Sequence, residues 1–169
     1  PDDVCIACFT GGSSALTSLP PEGVSDADKR ELHRVLLGSG ISISEVNTVR
    51  KQVSAFKGGR LALAAHPATV INLSVSDVAG DALDAITDPS VPNESTVADA
   101  LAVLHGHGLW DEVPESVRRH LSDPRLEVPD LSPVEIHSTL LVTGDTACEA
   151  IAAAAAEAGA EAILLSPSR

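Results

Sequence analysis

Val4-Cys5-Ile6-Ala7-Cys8-Phe9-Thr10-Gly11-Gly12-Ser13-Ser14-Ala15 is the stretch that decides how this chain folds. An apolar run of strand length feeds two glycines and two hydroxyl residues, with small apolar residues after them. A buried strand ending this way presents backbone N–H groups and hydroxyls beyond its carboxyl end. Open α/β sheets bind ligands at that edge, and an anion such as phosphate can be held there. Gly-Gly-Ser after a strand is also an ordinary tight turn, so the motif takes its weight from the segments downstream of it.

Helix patterns alternate with further apolar runs along the rest of the chain. Ser25 caps a helix with Asp26 and Asp28 in its first turn, a stripe of Leu32, Val35 and Leu36, and an end at Gly38 and Gly40. Residues 42–56 predict a second helix, capped by Ser42 or Ser44 and lined by Val46, Val49 and Val53. Asn47, Arg50, Lys51 and Ser54 share its adjoining face. Gly58-Gly59 breaks this helix, and a short one over 60–66 closes at Pro67. The β-branched run Thr69–Val75 reads as a buried strand ending in Ser76-Asp77. After a loop through Pro89 and Pro92, Ser95 or Thr96 caps a helix from Val97 to His105, striped by Val97, Leu101 and Leu104. Pro114 suits the first turn of a helix carrying Val117 and Leu121, and 123–133 reads as a crossover or linker. Ser138–Val142 predicts a strand, Gly144-Asp145-Thr146 a turn and cap, and 147–158 an Ala-rich helix stopped by Gly159. Ala162–Leu165 predicts a last strand. Four strands alternating with helices predict an α/β fold: a mostly parallel sheet with helices on both faces, a Rossmann-like three-layer sandwich in one domain over 1–169.

Composition narrows the function classes. The 169 residues, 44% hydrophobic, suit one domain with a sizeable core. No apolar run approaches the roughly 20 residues that span a bilayer, so no membrane partner is expected. With 24 Asp and Glu against 11 Lys and Arg, and no basic cluster longer than two residues, the chain does not suit nucleic acid. Lys is scarce and Ala abundant, as in proteins of salt-loving organisms, although an ordinary acidic cytosolic protein reads the same way. Pro1 is not a start methionine and the chain has no Met, so a piece of a longer protein is expected. Cys5 and Cys8 have C-x-x-C spacing but lie in a strand-like run, which points them to opposite faces. Buried structural thiols in a reducing, cytoplasmic compartment are expected of them and of Cys148.

Several polar residues stand where chemistry could use them. A carboxylate at a strand's carboxyl end, as Asp77 is and Asp81 nearly is, can hold Mg²⁺ or accept a hydroxyl proton, or simply close an Asx-turn. Arg50 can grip a carboxylate or phosphate through two parallel N–H bonds. With Asn47 and Lys51 it could equally form a solvated face. Lys57 can reach a phosphate or cap the last carbonyls of its helix. The six His have no zinc spacing, and His105 and His107 sit beside glycines as surface or capping residues. No Gly-x-Ser-x-Gly elbow and no Gly-x-Gly-x-x-Gly fingerprint occurs; the second absence counts against a nicotinamide-dependent reductase.

Taken in order, Gly11-Gly12-Ser13-Ser14-Ala15-Leu16, Leu19-Pro20-Pro21-Glu22-Gly23-Val24-Ser25, Asn47 through Ala62, and Ser76-Asp77-Val78-Ala79-Gly80-Asp81 resemble glycerate 2-kinases of the two-domain, MOFRL-containing family. Some members carry the older label hydroxypyruvate reductase. The resemblance runs from about Thr10 to Leu121 and is most specific at 47–61. It implies that this chain is the middle of a longer enzyme, without the start of its first domain and without the second. It also implies transfer of the ATP γ-phosphoryl group to the 2-hydroxyl of D-glycerate, assisted by Mg²⁺. Gly11, Gly12, Ser13, Ser14, Asn47 and Lys51 would then bind phosphate or substrate. Asp77, Arg50 and Lys57 would be catalytic, and Asp77 and Asp81 would hold the metal. Hydroxypyruvate reduction with NAD(P)H and a non-catalytic nucleotide-binding module are the alternatives, and homo-oligomers stay open. The chain departs from the family at Thr87-Asp88-Pro89-Ser90, where Ser-Gly-Pro-Thr is expected before Val91-Pro92. Asp88 adds charge and removes backbone freedom there, which puts the role of this loop in question.

Overall fold

The computed structural model describes residues 3–10, 12–76, 83 and 87–164. In chain order these form β1 (Val4–Phe9), α1 (Ser13–Leu16), α2 (Asp26–Gly38), α3 (Ile43–Gln52), α4 (Arg60–Ala65), β2 (Thr69–Val75), α5 (Val97–Gly106), α6 (Glu115–Leu121), β3 (Ile136–Val142) and α7 (Gly144–Glu157). The three strands make one sheet in the order β1-β2-β3. Both pairings are parallel, Val4 lying opposite Thr69 and Phe9 opposite Ser74, then Val70 opposite Ile136 and Val75 opposite Val142. Parallel neighbours need crossovers, and helices supply them. The fold is α/β, as expected, and the carboxyl ends of β1 and β2 finish side by side.

The helices form where caps and apolar stripes coincide. Ser25 Oγ accepts the Asp28 N–H at the start of α2, and full capping boxes, Ser42 with Glu45 and Thr96 with Asp99, open α3 and α5. The stripes Leu32-Val35-Leu36, Val46-Val49-Val53 and Val117-Leu121 all bury. With Ala100 and Leu104 of α5 and Leu109 and Val113 before α6, they make the main core between α2, α3, α5 and α6. A smaller cluster, Ala62, Val70, Leu131 and Val134, joins α4 to the sheet.

Several boundaries and one strand differ from the sequence reading. α3 stops at Gln52 rather than 56, because Ser54 Oγ accepts the N–H groups of Phe56 and Lys57 at 3.2 and 3.0 Å. That local bonding competes with the helix ladder. α7 starts at Gly144 on a Thr143 cap, whose Oγ1 accepts the Thr146 N–H at 3.1 Å, and it buries none of its residues. The strand expected at 162–165 does not form among the described residues 162–164. Ile163 and Leu164 are exposed, and with no ladder partner an apolar run has nothing to pair with. Cys8 and Cys148 are exposed rather than buried, because β1 turns one row of side chains to solvent and α7 is uncovered. No helix among the described residues is long and apolar enough to cross a membrane.

Candidate functional site

The adjoining ends of β1 and β2 open into a cleft of about 220 Å³. Phe9 at the end of β1, Thr10 after it, Gly12 to Ala15 from the turn and α1, and Val75 from β2 form its floor and one wall. Ile43, Asn47 and Arg50 from α3, together with Lys57, form the second wall, and Thr87, Asp88 and Pro89 form the lip. Gly12 starts α1 at φ 85, a conformation open to glycine, and this turns the hydroxyl residues across the strand end.

Lys57 reaches the cleft because its loop is fixed on every side. Ser54 ends the helix before it, and Gly58 and Gly59 follow at φ 63 and 84. A Cβ on Gly59 would meet Leu131 Cδ1 at 2.6 Å and the Val91 carbonyl at 3.0 Å, so glycine is also required sterically. Arg60 Nη1 donates to the carbonyls of Lys51 and Lys57, both at 3.0 Å. The Phe56 ring meets Phe9 edge to face, with centroids 6.5 Å apart, which ties the loop to the end of β1.

The two cations of the cleft converge on one neutral oxygen. Lys57 Nζ donates to the Ser14 carbonyl at 2.7 Å, and Arg50 Nη2 donates to the same oxygen at 2.9 Å. Lys57 Nζ also lies 3.2 Å from Ser14 Oγ, which is 2.6 Å from Thr87 Oγ1. Asn47 Oδ1 accepts from Arg50 Nη1 at 2.9 Å and fixes the guanidinium plane. The two cations have no carboxylate partner among the described residues. Buried lysine is rare, yet all three lysines of this acidic chain are buried, Lys29, Lys51 and Lys57 being 2%, 3% and 2% exposed.

Burial, followed by the charges of Arg50 and Lys29, lowers the Lys57 amine to about 8. Burial likewise brings Lys29 to about 8, with Arg50 the next cause, and draws Arg50 below its ordinary value. His33 is pushed down to about 4, first by burial and then by Arg50, Lys29 and Lys57, so it is neutral at pH 7. A cationic pocket compensated, among the described residues, by neutral carbonyl and hydroxyl oxygens costs free energy that a bound anion would return.

The residues expected to act here are therefore partly assembled. Gly12, Ser13, Ser14, Asn47, Arg50 and Lys57 come together around the cleft. Ser13 is already engaged in its own turn, its N–H donating to Thr10 O and its Oγ accepting from Thr10 N–H. Lys51 is buried on α3 but does not line the cleft, since it lies one helical step round from Arg50. Gly11, Asp77 and Asp81 lie outside the described residues. His107 pairs with Glu45 at 2.8 Å, and His105 stacks on Trp110 at 4.7 Å, consistent with capping and surface roles. The expectations did not include Thr10, Thr17, Thr87 or Asp88 as cleft residues. Asn72, Ser74 and Ser76 would have pointed to the last two, as polar residues two apart on the buried face of an otherwise apolar strand.

A family model described as Domain of unknown function (DUF4147) matches residues 1–122. The chain is 40% identical over 169 residues to a protein of Pyrococcus horikoshii named glycerate 2-kinase, covering 97% of this chain and 38% of that one. It is 43% identical over 169 residues to the D-glycerate 2-kinase of Thermotoga maritima, covering 99% and 39%. A protein of Agrobacterium vitis that carries a provisional hydroxypyruvate reductase name is 42% identical over 160 residues, covering 94% and 36%. Two crystal structures share the fold. A Pyrococcus horikoshii protein has TM-score 0.77 and 39% identity over 94% of this chain and 37% of its own. A Thermotoga maritima glycerate kinase has TM-score 0.75 and 43% identity over 93% and 37%. The chain thus spans a little over a third of the length of these three curated relatives.

Proposed function

The chain belongs to the DUF4147 family, and from that premise we propose that it forms part of a glycerate 2-kinase, which transfers the γ-phosphoryl group of ATP to the 2-hydroxyl of D-glycerate. The observation that carries this reading is the convergence of Arg50 and Lys57 on neutral oxygens at a hydroxyl-lined strand edge. Phosphoryl transfer asks a protein mainly to position groups and neutralise charge. Arg50 offers a planar fork to a carboxylate or phosphate, with Asn47 holding its plane. Lys57 adds a compact positive charge, and the Ser13 and Ser14 hydroxyls and the turn at Gly11 and Gly12 complete the cradle. Lys51, buried on the same helix outside the cleft lining, would add positive charge near the site. This donor set suits the phosphates of a nucleotide.

The resemblance assigns Mg²⁺ to Asp77 and Asp81, where it would neutralise phosphate charge when bound. Asp77 would also take the proton of the substrate hydroxyl. Asp77→Asn in the full-length protein should cut kcat by roughly 10²-fold or more, the scale of a positioned acid–base group. The fold should survive, because Asn still closes an Asx-turn.

The deciding assay is glycerate-dependent ADP release by the full-length protein. NADH oxidation dependent on hydroxypyruvate, with no ADP release, would replace this reading by the reductase. Nucleotide binding without turnover would replace it by a non-catalytic module. The 169-residue chain alone should have little or no kinase activity, because closure around both substrates needs groups on either side of the site.

A further inference from the structure

On the lip of the cleft opposite the cations, a carboxylate is buried among neutral donors. Asp88 is 3% exposed. Its Oδ2 accepts from Asn72 Nδ2 at 2.8 Å and from Ser74 Oγ at 2.9 Å. Its Oδ1 accepts from the Ser90 N–H at 2.8 Å and from Ser90 Oγ at 2.6 Å. The single Ser74 hydroxyl proton is shared with Asn72 Oδ1, 2.6 Å away. Both carboxylate oxygens of Asp88 are thus engaged by donors of β2 and of its own loop. Asn72 Nδ2 also donates to Ser90 Oγ at 2.7 Å, so three side-chain hydrogen bonds tie the strand to the loop.

What this lacing holds is the residue before it. Thr87 has φ 61, the left-handed region that a β-branched residue enters only when its surroundings force it. Asp88 anchors one side of that peptide to β2. On the other side the Thr87 hydroxyl meets Ser14 Oγ at 2.6 Å, across 73 residues of sequence. Ser14 in turn carries the carbonyl on which Arg50 and Lys57 meet.

We propose that Asp88 is a positioning residue: by pinning the 87–90 loop to β2 it holds Thr87 in its strained conformation, so that the Thr87 hydroxyl fixes Ser14 and, through Ser14, the spacing of the Arg50 and Lys57 cations. The proposal rests on the reading of this cleft as an anion site. It extends that reading to a carboxylate that touches no substrate.

The test uses the full-length protein with inorganic phosphate as the probe, followed by calorimetry, and compares Asp88→Asn, Thr87→Gly, Thr87→Ser and the double variant D88N/T87G. Glycine is at ease at φ 61, so Thr87→Gly should fold at least as well as the parent while losing the hydroxyl. Thr87→Gly and Asp88→Asn should each weaken phosphate by about tenfold, the value of one lost hydrogen bond in a buried site. The double variant should be no weaker than either single one, because both changes break the same chain of contacts. Thr87→Ser should restore parental affinity. In both weakened variants the Lys57 amine, followed by NMR of isotopically labelled lysine, should titrate above about 8, closer to an ordinary lysine.

A Thr87→Gly protein that binds phosphate within about twofold of the parent overturns the proposal, as does full additivity in the double variant. If the parent itself binds no phosphate, the anion reading fails separately. The Lys57 titration then still decides the proposal, since an unchanged Lys57 in Thr87→Gly would show that Thr87 does not set the cation wall.

Discussion

Leu32, Leu36, Val49, Val53, Leu104 and Val117 are sealed where α2, α3, α5 and α6 meet, whereas Val4 and Ile6 of β1 are 55% and 63% exposed and Leu141 of β3 also faces solvent. One region seals a continuous apolar core within these residues; the other leaves apolar side chains of both edge strands uncovered. The cleft runs along the seam between them. Of its cations, Arg50 stands on α3 and Lys57 on the loop that follows, while its hydroxyl turn and lip belong to the strand ends. Core packing fixes the helix under Arg50, while the cation heads and the strand-end groups are held by individual hydrogen bonds, with glycine geometry at the turn. A change in the helical core should thus cost stability first, and a change at the strand ends should cost binding geometry first.

The sharpest break of this comparison is a pair of truncations. Leu104→Ala should cost about 2–5 kcal/mol in urea unfolding, the range for a fully buried leucine that leaves a cavity. Ile6→Ser in the same 169-residue chain should stay within about 0.5 kcal/mol, as surface changes do. If Ile6→Ser is costly in the full-length protein, further chain covers the sheet there, and the contrast belongs to these 169 residues alone.

Glycine substitutions come next. Gly59→Ala combines a left-handed backbone with a clash on Leu131 and should lose about 1–3 kcal/mol, with anion binding disturbed through Lys57. Gly40→Ala has φ 76 but open space around it, so only the backbone strain remains, and its thermal shift should be clearly smaller. Equal shifts for the two would show that Leu131 yields without cost.

The remaining effect is confined to acidic solution. His33 has a folded pKa of about 4 against an ordinary 6.5. Between those values the unfolded chain binds more protons, so stability falls as pH drops from 6.5 to 4. Its Nε2 is buried with no hydrogen-bond partner among the described residues, so His33→Leu should flatten that limb of the stability curve without disturbing the fold. A limb of unchanged slope would mean that water or an anion already serves that nitrogen.

Much of this was legible from residue order. The stripes Leu32-Val35-Leu36 and Val46-Val49-Val53 repeat at helical spacing, and Thr69–Val75 is an unbroken buried run, so local chemistry alone fixes those elements. The end of α3 was not legible, because it turns on which N–H groups Ser54 captures. Arg50 and Lys57 could be singled out by charge, but their convergence on Ser14 depends on a crossover that brings residue 14 beside residues 50 and 57. Thr87 and Asp88 were hidden for the same reason: their partners lie on β2 and α1, and a loop sequence does not state which strand it will pack against. Asp88 looked like an intrusion into the loop. Its four donors make it a component of that loop.

The burial of every lysine side chain has a practical consequence. Amine-directed reagents need an accessible, neutral nitrogen, and the folded chain offers none at Lys29, Lys51 or Lys57. Modification of those side chains would therefore record how often the molecule opens. It would give a chemical clock for opening events at and behind the cleft, read by mass spectrometry without introducing any probe.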